Sequence, residues 1–167
     1  IQLAWGLANS LTFLTQTQFW GLSTFQIQEF IKIYFFSTVV SWFLVPKLVR
    51  IFEKRTILLF SLIIIVIFQA TPFILYKIGL IPEFGTDSLV YFLSVFIFIT
   101  GTFSIMSLMT RESMVPDMID QVQKESKLRQ DGTISSLTSF CAKCMTGLGQ
   151  FFSMFVLWLI SYLQGSV

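Results

Sequence analysis

Residues Thr56 to Leu80 read TILLFSLIIIVIFQATPFILYKIGL, with Leu58, Leu59 and Phe60 and then Ile63 to Ile67 at the heart of the run. A helix rising about 1.5 Å per residue needs about 20 apolar residues to cross roughly 30 Å of hydrocarbon, and this stretch supplies them. Four further runs flank it. Ser88 to Thr110 has only small hydroxyls as its polar groups, and Ile27 to Pro46 carries Glu29 and Lys32 near its start, where they must meet an interface. Gly132 to Tyr162 is long and holds one full charge, at Lys143. Ile1 to Trp20 is the most polar, because Asn9, Ser10, Thr12, Thr15, Gln16, Thr17 and Gln18 would all lie at membrane depth. The expectation is an all-α membrane protein of about five transmembrane helices, over residues 1–20, 27–46, 56–80, 88–110 and 132–162, with the lipid bilayer as its solvent.

Composition agrees. The chain is 54% hydrophobic and 12% charged, where soluble domains are about 45 to 50% apolar and about 25% charged. A soluble core of this size has too little interior for 20 Phe. A net charge of +2 is too mild to suggest nucleic acid as a partner. The sequence has no His, which removes Ser-His and Cys-His catalysis and His-containing zinc sites. With no Gly-rich phosphate loop either, neither an enzyme nor an ATP-driven pump is expected. Cys141 and Cys144 fit C-x-x-C, but inside a span and without a second pair they read as packing residues, not a metal site. Gly147 and Gly149 read as positions where another helix approaches closely. No cleavable signal peptide is visible, and the start at Ile suggests a piece of a longer protein.

Short cytoplasmic loops retain Lys and Arg. The connection after the second span holds Lys47, Arg50, Lys54 and Arg55 against Glu53, and the one after the fourth holds Arg111, Lys124, Lys127 and Arg129. Two crossings separate them, so both fall on the cytoplasmic side. The opposite connections, Gly21 to Gln26 and Ile81 to Asp87, carry no cation.

A lysine near the centre of a span costs about 2.5 to 3.5 kcal/mol on insertion scales unless it faces water or a partner. Lys143 therefore needs an environment. At helical spacing Gly132, Ser136, Ser139, Lys143, Thr146 and Gln150 form one polar stripe, the pattern of a cavity wall. A weaker stripe runs through Trp5, Asn9, Thr12 and Gln16 of the first span. Snorkelling to a headgroup and hydroxyls bonding back to their own helix are the plainer alternatives. No carboxylate is expected at mid-membrane depth, so a counter-anion for Lys143 must come from elsewhere or from the cargo.

The connection from Ser113 to Thr133 has the densest charge. Pro116 is expected to open a helical turn whose electropositive N-terminus suits Asp117, with Asp120 on the same face.

This segment resembles the second-half signature of the glycoside-pentoside-hexuronide cation symporters, a branch of the major facilitator superfamily. There an Asp-x-x-Asp ends helix ten, an Arg and an acid follow across the cytoplasmic loop, and a Lys lies inside helix eleven. Asp117, Asp120, Arg129, Asp131 and Lys143 stand in that order. The likeness is specific over Ser113 to Gly149. It implies that the spans correspond to helices seven to eleven of a major facilitator transporter, with the N-terminal half and the last helix absent. It also implies cation-coupled symport of a small-molecule substrate, sugar or glycoside-like. On that resemblance Lys143 would couple cargo to the cation; on the polar stripes themselves, Ser139, Thr138, Asn9, Thr12 and Gln16 are expected as lesser wall residues. Asp117, Asp120 and Arg129 would latch the cytoplasmic side, with Arg111 or Arg55. The coupling cation, Na+ or H+, would be bound mainly by the missing half, and no other cofactor is implied. Gln121 stands where Tyr is frequent, Asp131 where Glu is commoner, and Leu108 where sugar carriers place an aromatic. Ser113 to Asp120 also resembles the corresponding segment of a sodium-dependent lysophospholipid symporter branch. The reading from another class is a membrane scaffold, or a half that binds a partner half without transporting.

Overall fold

The computed structural model describes residues 2–82, 84–126 and 131–165. Five helices follow one another, α1 (Gln2–Leu14, extended by a π turn Thr15–Phe19), α2 (Thr24–Ile51), α3 (Lys54–Ile78), α4 (Asp87–Ser126) and α5 (Asp131–Gly165), with no strand among the described residues. Helices α2 to α5 are long and apolar enough to cross a membrane. The α-helical part of α1, at 13 residues, is shorter than a span. The result is an all-α membrane protein. Its outward surface fits that solvent, because Phe25, Phe35, Phe36, Trp42, Phe43, Phe140 and Phe151 are all exposed, and such a set suits acyl chains or other apolar helices rather than water.

The chain divides into two compact units, Gly21–Gln121 and Ile1–Trp20 with Val122–Val167. In the first unit, α2 begins with a capping box. Ser23 Oγ accepts from the Gln26 amide (3.3 Å) and Gln26 Oε1 accepts from the Ser23 amide (3.0 Å), so two otherwise orphaned helix-end donors are satisfied. Gln26 Nε2 also donates to the Gly85 carbonyl and to Asp87 Oδ1, both at 3.2 Å, tying the start of α2 to the start of α4. Helix α3 stops at Gly79, whose φ of 77° is the left-handed cap that glycine adopts without a Cβ penalty.

Small residues bring α2 and α4 together. Ser37 Oγ lies 3.1 Å from the Phe98 carbonyl, and Ser41 Oγ lies 2.8 Å from both the Thr102 carbonyl and the Ser37 carbonyl of its own helix, so its one proton is shared between them. A Cβ added to Gly101 would sit 3.0 Å from Ser37 Oγ and 3.1 Å from the Tyr34 ring. Toward the other end, Val45 of α2, Ile57 of α3 and Met106 of α4 form a buried apolar cluster with Leu48, Val49, Phe103 and Met109 around it. In lipid, such packing and interhelical hydrogen bonds hold helices together, since apolar burial gains little over acyl chains. Ser41→Ala is accordingly expected to lower stability by about 0.6 to 1.7 kcal/mol, read as a shift in the thermal unfolding midpoint in detergent.

Two boundaries differ from the sequence reading. The basic connection after α2 is only Phe52 and Glu53, so Lys47 and Arg50 lie in the last turns of α2 and Lys54 and Arg55 in the first turn of α3. The fourth helix does not end near Thr110. It continues through Pro116 to Ser126, so Pro116 opens no new turn, and Asp117 and Asp120 lie within a helix rather than at an N-terminus. The capping role expected for Asp117 is not what the residue does. Proline is tolerated there at the loss of one ladder bond.

Candidate functional site

In the Ile1–Trp20 and Val122–Val167 unit, α5 packs against α1 at near backbone contact. A Cβ on Gly6 would overlap the Thr146 carbonyl oxygen, and a Cβ on Gly149 would overlap the Leu3 carbonyl oxygen and come within 2.9 Å of the Leu7 nitrogen and 3.1 Å of Gly6 Cα. Gly149 is thus the close-approach position foreseen in sequence. Gly147 is not, because a Cβ there meets nothing within 4 Å. Thr146 Oγ1 lies 3.5 Å from Gln2 Oε1, so the register advances in the same sense on both helices, Gln2 reaching Thr146 and Gly6 lying against Gly149.

This seam fixes where the polar stripes lie. At about 100° per residue, Ser139 and Gln150 fall roughly a quarter turn from the Gly149 face, Lys143 about a third of a turn and Ser136 about 140° on the same side. Phe140 and Phe151 lie roughly opposite the Gly149 face and Leu148 and Phe155 on the flank away from the stripe, and all four are exposed. Thr146 lies between the seam and Lys143, and Gln2 lies between the seam and Asn9. Since Thr146 and Gln2 meet, the stripe of α5 and the stripe of α1 open to the same side of the pair. Their levels differ. Lys143 stands just before the level at which α1 starts, whereas Asn9 lies about 14 Å further along at about 1.5 Å per residue, with Thr12 and Gln16 beyond it.

Lys143 is exposed on α5 and makes no ion pair with any described residue. It lies about three turns into the helix from Asp131. Ser139 and Asn9 are exposed and Gln16 is half-buried. The hydroxyls of Thr12 and Thr138 donate back to the carbonyls of Ala8 (2.7 Å) and Ile134 (2.8 Å), which leaves only their lone pairs for anything else. Thr138 also falls on the far side of the seam from Lys143, so the structure does not bring those two together. Cys141 and Cys144 are free and exposed on α5, and no group of metal-binding side chains occurs among the described residues.

The Gly21–Gln121 unit holds a second charged arrangement. The Lys54 ammonium meets Asp117 Oδ2 at 2.5 Å and donates to the Ser113 carbonyl at 3.0 Å. A cation in the first turn of a helix opposes the helix dipole by about 0.3 to 1 kcal/mol, so Lys54 is placed there against local preference and offset by Asp117. Sequence reading placed Lys54 in the basic connection and Asp117 in the gate without pairing them, because the partners are far apart in the chain. Arg111 pairs with the adjacent Glu112 at 2.6 Å. Arg55 and Asp120 are exposed, with no partner among the described residues, and Arg129 lies outside the described residues.

Comparison with curated proteins and with solved structures gives no match. The family described as MFS/sugar transport protein matches residues 2–167. With four apolar helices of membrane length, and a family match over nearly its whole length, this multi-pass membrane chain belongs to the MFS/sugar transport protein family of the major facilitator superfamily.

Proposed function

We propose that the chain is the C-terminal half of a cation-coupled secondary transporter that moves a small organic solute, sugar or glycoside-like, by alternating access. The observation that carries this reading is Lys143, an exposed ammonium on a membrane-length helix, unpaired among the described residues and flanked by Ser139 and Gln150. An ammonium at membrane depth requires water or an anion. A cavity completed by an N-terminal half supplies both, since its acids would hold Na+ or H+ and reach Lys143 in part of the cycle. Asn9, Thr12 and Gln16 line the same side of the helix pair further along. No cofactor beyond the coupling cation is needed.

The gate is centred on Asp117 and its partner Lys54, with Asp120 on the same face and Arg111, Arg55 and Arg129 as further cations. Their side-chain exposures of 29% for Lys54 and 59% for Asp117 put the pair among partly exposed ion pairs worth about 0 to 1 kcal/mol. That is weak enough to open in every cycle. Asp117→Asn is expected to change turnover by about three- to fivefold, measured as counterflow in proteoliposomes. The reversed pair, Lys54→Asp with Asp117→Lys, should bring turnover back toward the original rate, and failure of that rescue would leave the pair a purely local contact.

A lysophospholipid-type cargo is the second reading. Leu108 favours it, because it is an exposed apolar side chain where a sugar carrier would present an aromatic for stacking. Competition in proteoliposomes, glycosides against lysolipids, separates the two. A non-transporting scaffold predicts no uptake of either when this chain is joined to a matching N-terminal half.

A further inference from the structure

Helix α1 ends in a change of winding. It widens into a π turn over Thr15–Phe19, where the Trp20 amide donates to the Thr15 carbonyl at 3.0 Å, five residues back instead of four. Such turns are less favourable than α turns and are retained where a helix needs a local irregularity. Two threonines support this one. Thr15 Oγ1 donates to the Leu11 carbonyl at 2.8 Å and Thr17 Oγ1 to the Phe13 carbonyl at 2.9 Å. These hydroxyls are side-chain donors on carbonyls of the preceding turn, so backbone amides can re-pair there without leaving both carbonyls bare. Immediately beyond, Gly21 takes φ 63°, and a Cβ there would meet nothing within 4 Å. The glycine is therefore required by the backbone conformation and not by crowding. The boundary between the two compact units also falls between Trp20 and Gly21.

We infer that Thr15–Gly21 is a hinge whose π turn re-pairs to α geometry and back. One re-pairing turns Phe19 and Trp20, which pack edge to face with ring centroids 4.8 Å apart, by about one residue, roughly 100° of rotation and about 1.5 Å of rise. The inference rests on the alternating-access reading, which supplies a reason for the end of α1 to move, but its test does not require transport.

Amide hydrogen exchange on the full-length protein in lipid nanodiscs is compared with exchange after removal of Gln18, which takes out the extra residue and lets the turn close as α. Unmodified protein should exchange across residues 15–20 at least tenfold faster than across residues 5–12, and removal of Gln18 should slow the faster segment at least tenfold. A merely frayed helix end would exchange as fast or faster once shortened, and that result overturns the hinge. If the shortened protein fails to insert, Gly21→Ala keeps chain length and penalises the left-handed residue. The hinge then predicts a change in exchange across residues 15–20 of at least threefold with residues 5–12 unaffected, and an unchanged profile rejects it. A rigid segment in a protein that still transports would refute the hinge and leave the transporter reading standing.

Discussion

Lys143→Ala in the full-length transporter is expected to abolish coupled uptake while leaving surface expression normal. The argument is one of charge in a poorly solvated place. If the ammonium meets an anion on the cargo or on the N-terminal half during the cycle, removing it leaves that anion uncompensated, which costs about 2 to 5 kcal/mol, and about 3 kcal/mol corresponds to roughly a hundredfold loss. Folding should not suffer, since Lys143 makes no ion pair with a described residue and its removal relieves an insertion cost of about 2.5 to 3.5 kcal/mol. Lys143→Arg keeps the charge but not the compact, strongly hydrated head. It should retain surface expression and partial binding with impaired coupling. Uptake by Lys143→Ala equal to that of the unmodified protein would reject the assignment.

The second large effect is structural. Gly149→Leu should separate α1 from α5, because the new side chain would have to occupy the volume of the Leu3 and Leu7 backbone. Backbone atoms in a helix cannot swing aside as a side-chain tip can. Overpacking of ordinary cores costs about 1 to 3 kcal/mol, and this seam should lie at or above the top of that range. The midpoint of thermal unfolding in detergent measures it. Gly147→Ala, where an added Cβ meets nothing within 4 Å of this chain, is the control and should leave the midpoint nearly unchanged. Equal effects of the two variants would contradict the packing described for the α1–α5 seam.

Helix number and type were legible in the sequence, because length and apolarity are local properties that the bilayer reads directly. The run at residues 56–80 became α3 almost without change. The fourth helix was misjudged at its end. A run of charge with a proline reads as a loop when hydropathy is the only guide, yet a helix leaving the membrane needs no apolar residues, and α4 continues through Arg111 and Pro116 as a polar helix. Periodicity could place Lys143 and Ser139 on one stripe, because the spacing lies within a single helix. It could not reveal Lys54 as the partner of Asp117, which depends on how α3 packs on α4. Nor could it show that Thr12 and Thr138 turn their hydroxyl protons back to their own helices. The π turn was equally hidden, since Thr15, Gln16, Thr17 and Gln18 read as an uncomfortably polar α-helix and not as a change in winding.

Site-directed thiol labelling tests the central claim most directly. Lys143→Cys is introduced into the full-length transporter with Cys141→Ser and Cys144→Ser, which removes the two native thiols on the same helix. A membrane-impermeant maleimide applied from each side in turn should reach position 143 from one side in a given conformational state, and more slowly than it reaches a loop cysteine. A thiol that never reacts, as one facing acyl chains would not, or one that reacts at the rate of an open loop, would contradict the account.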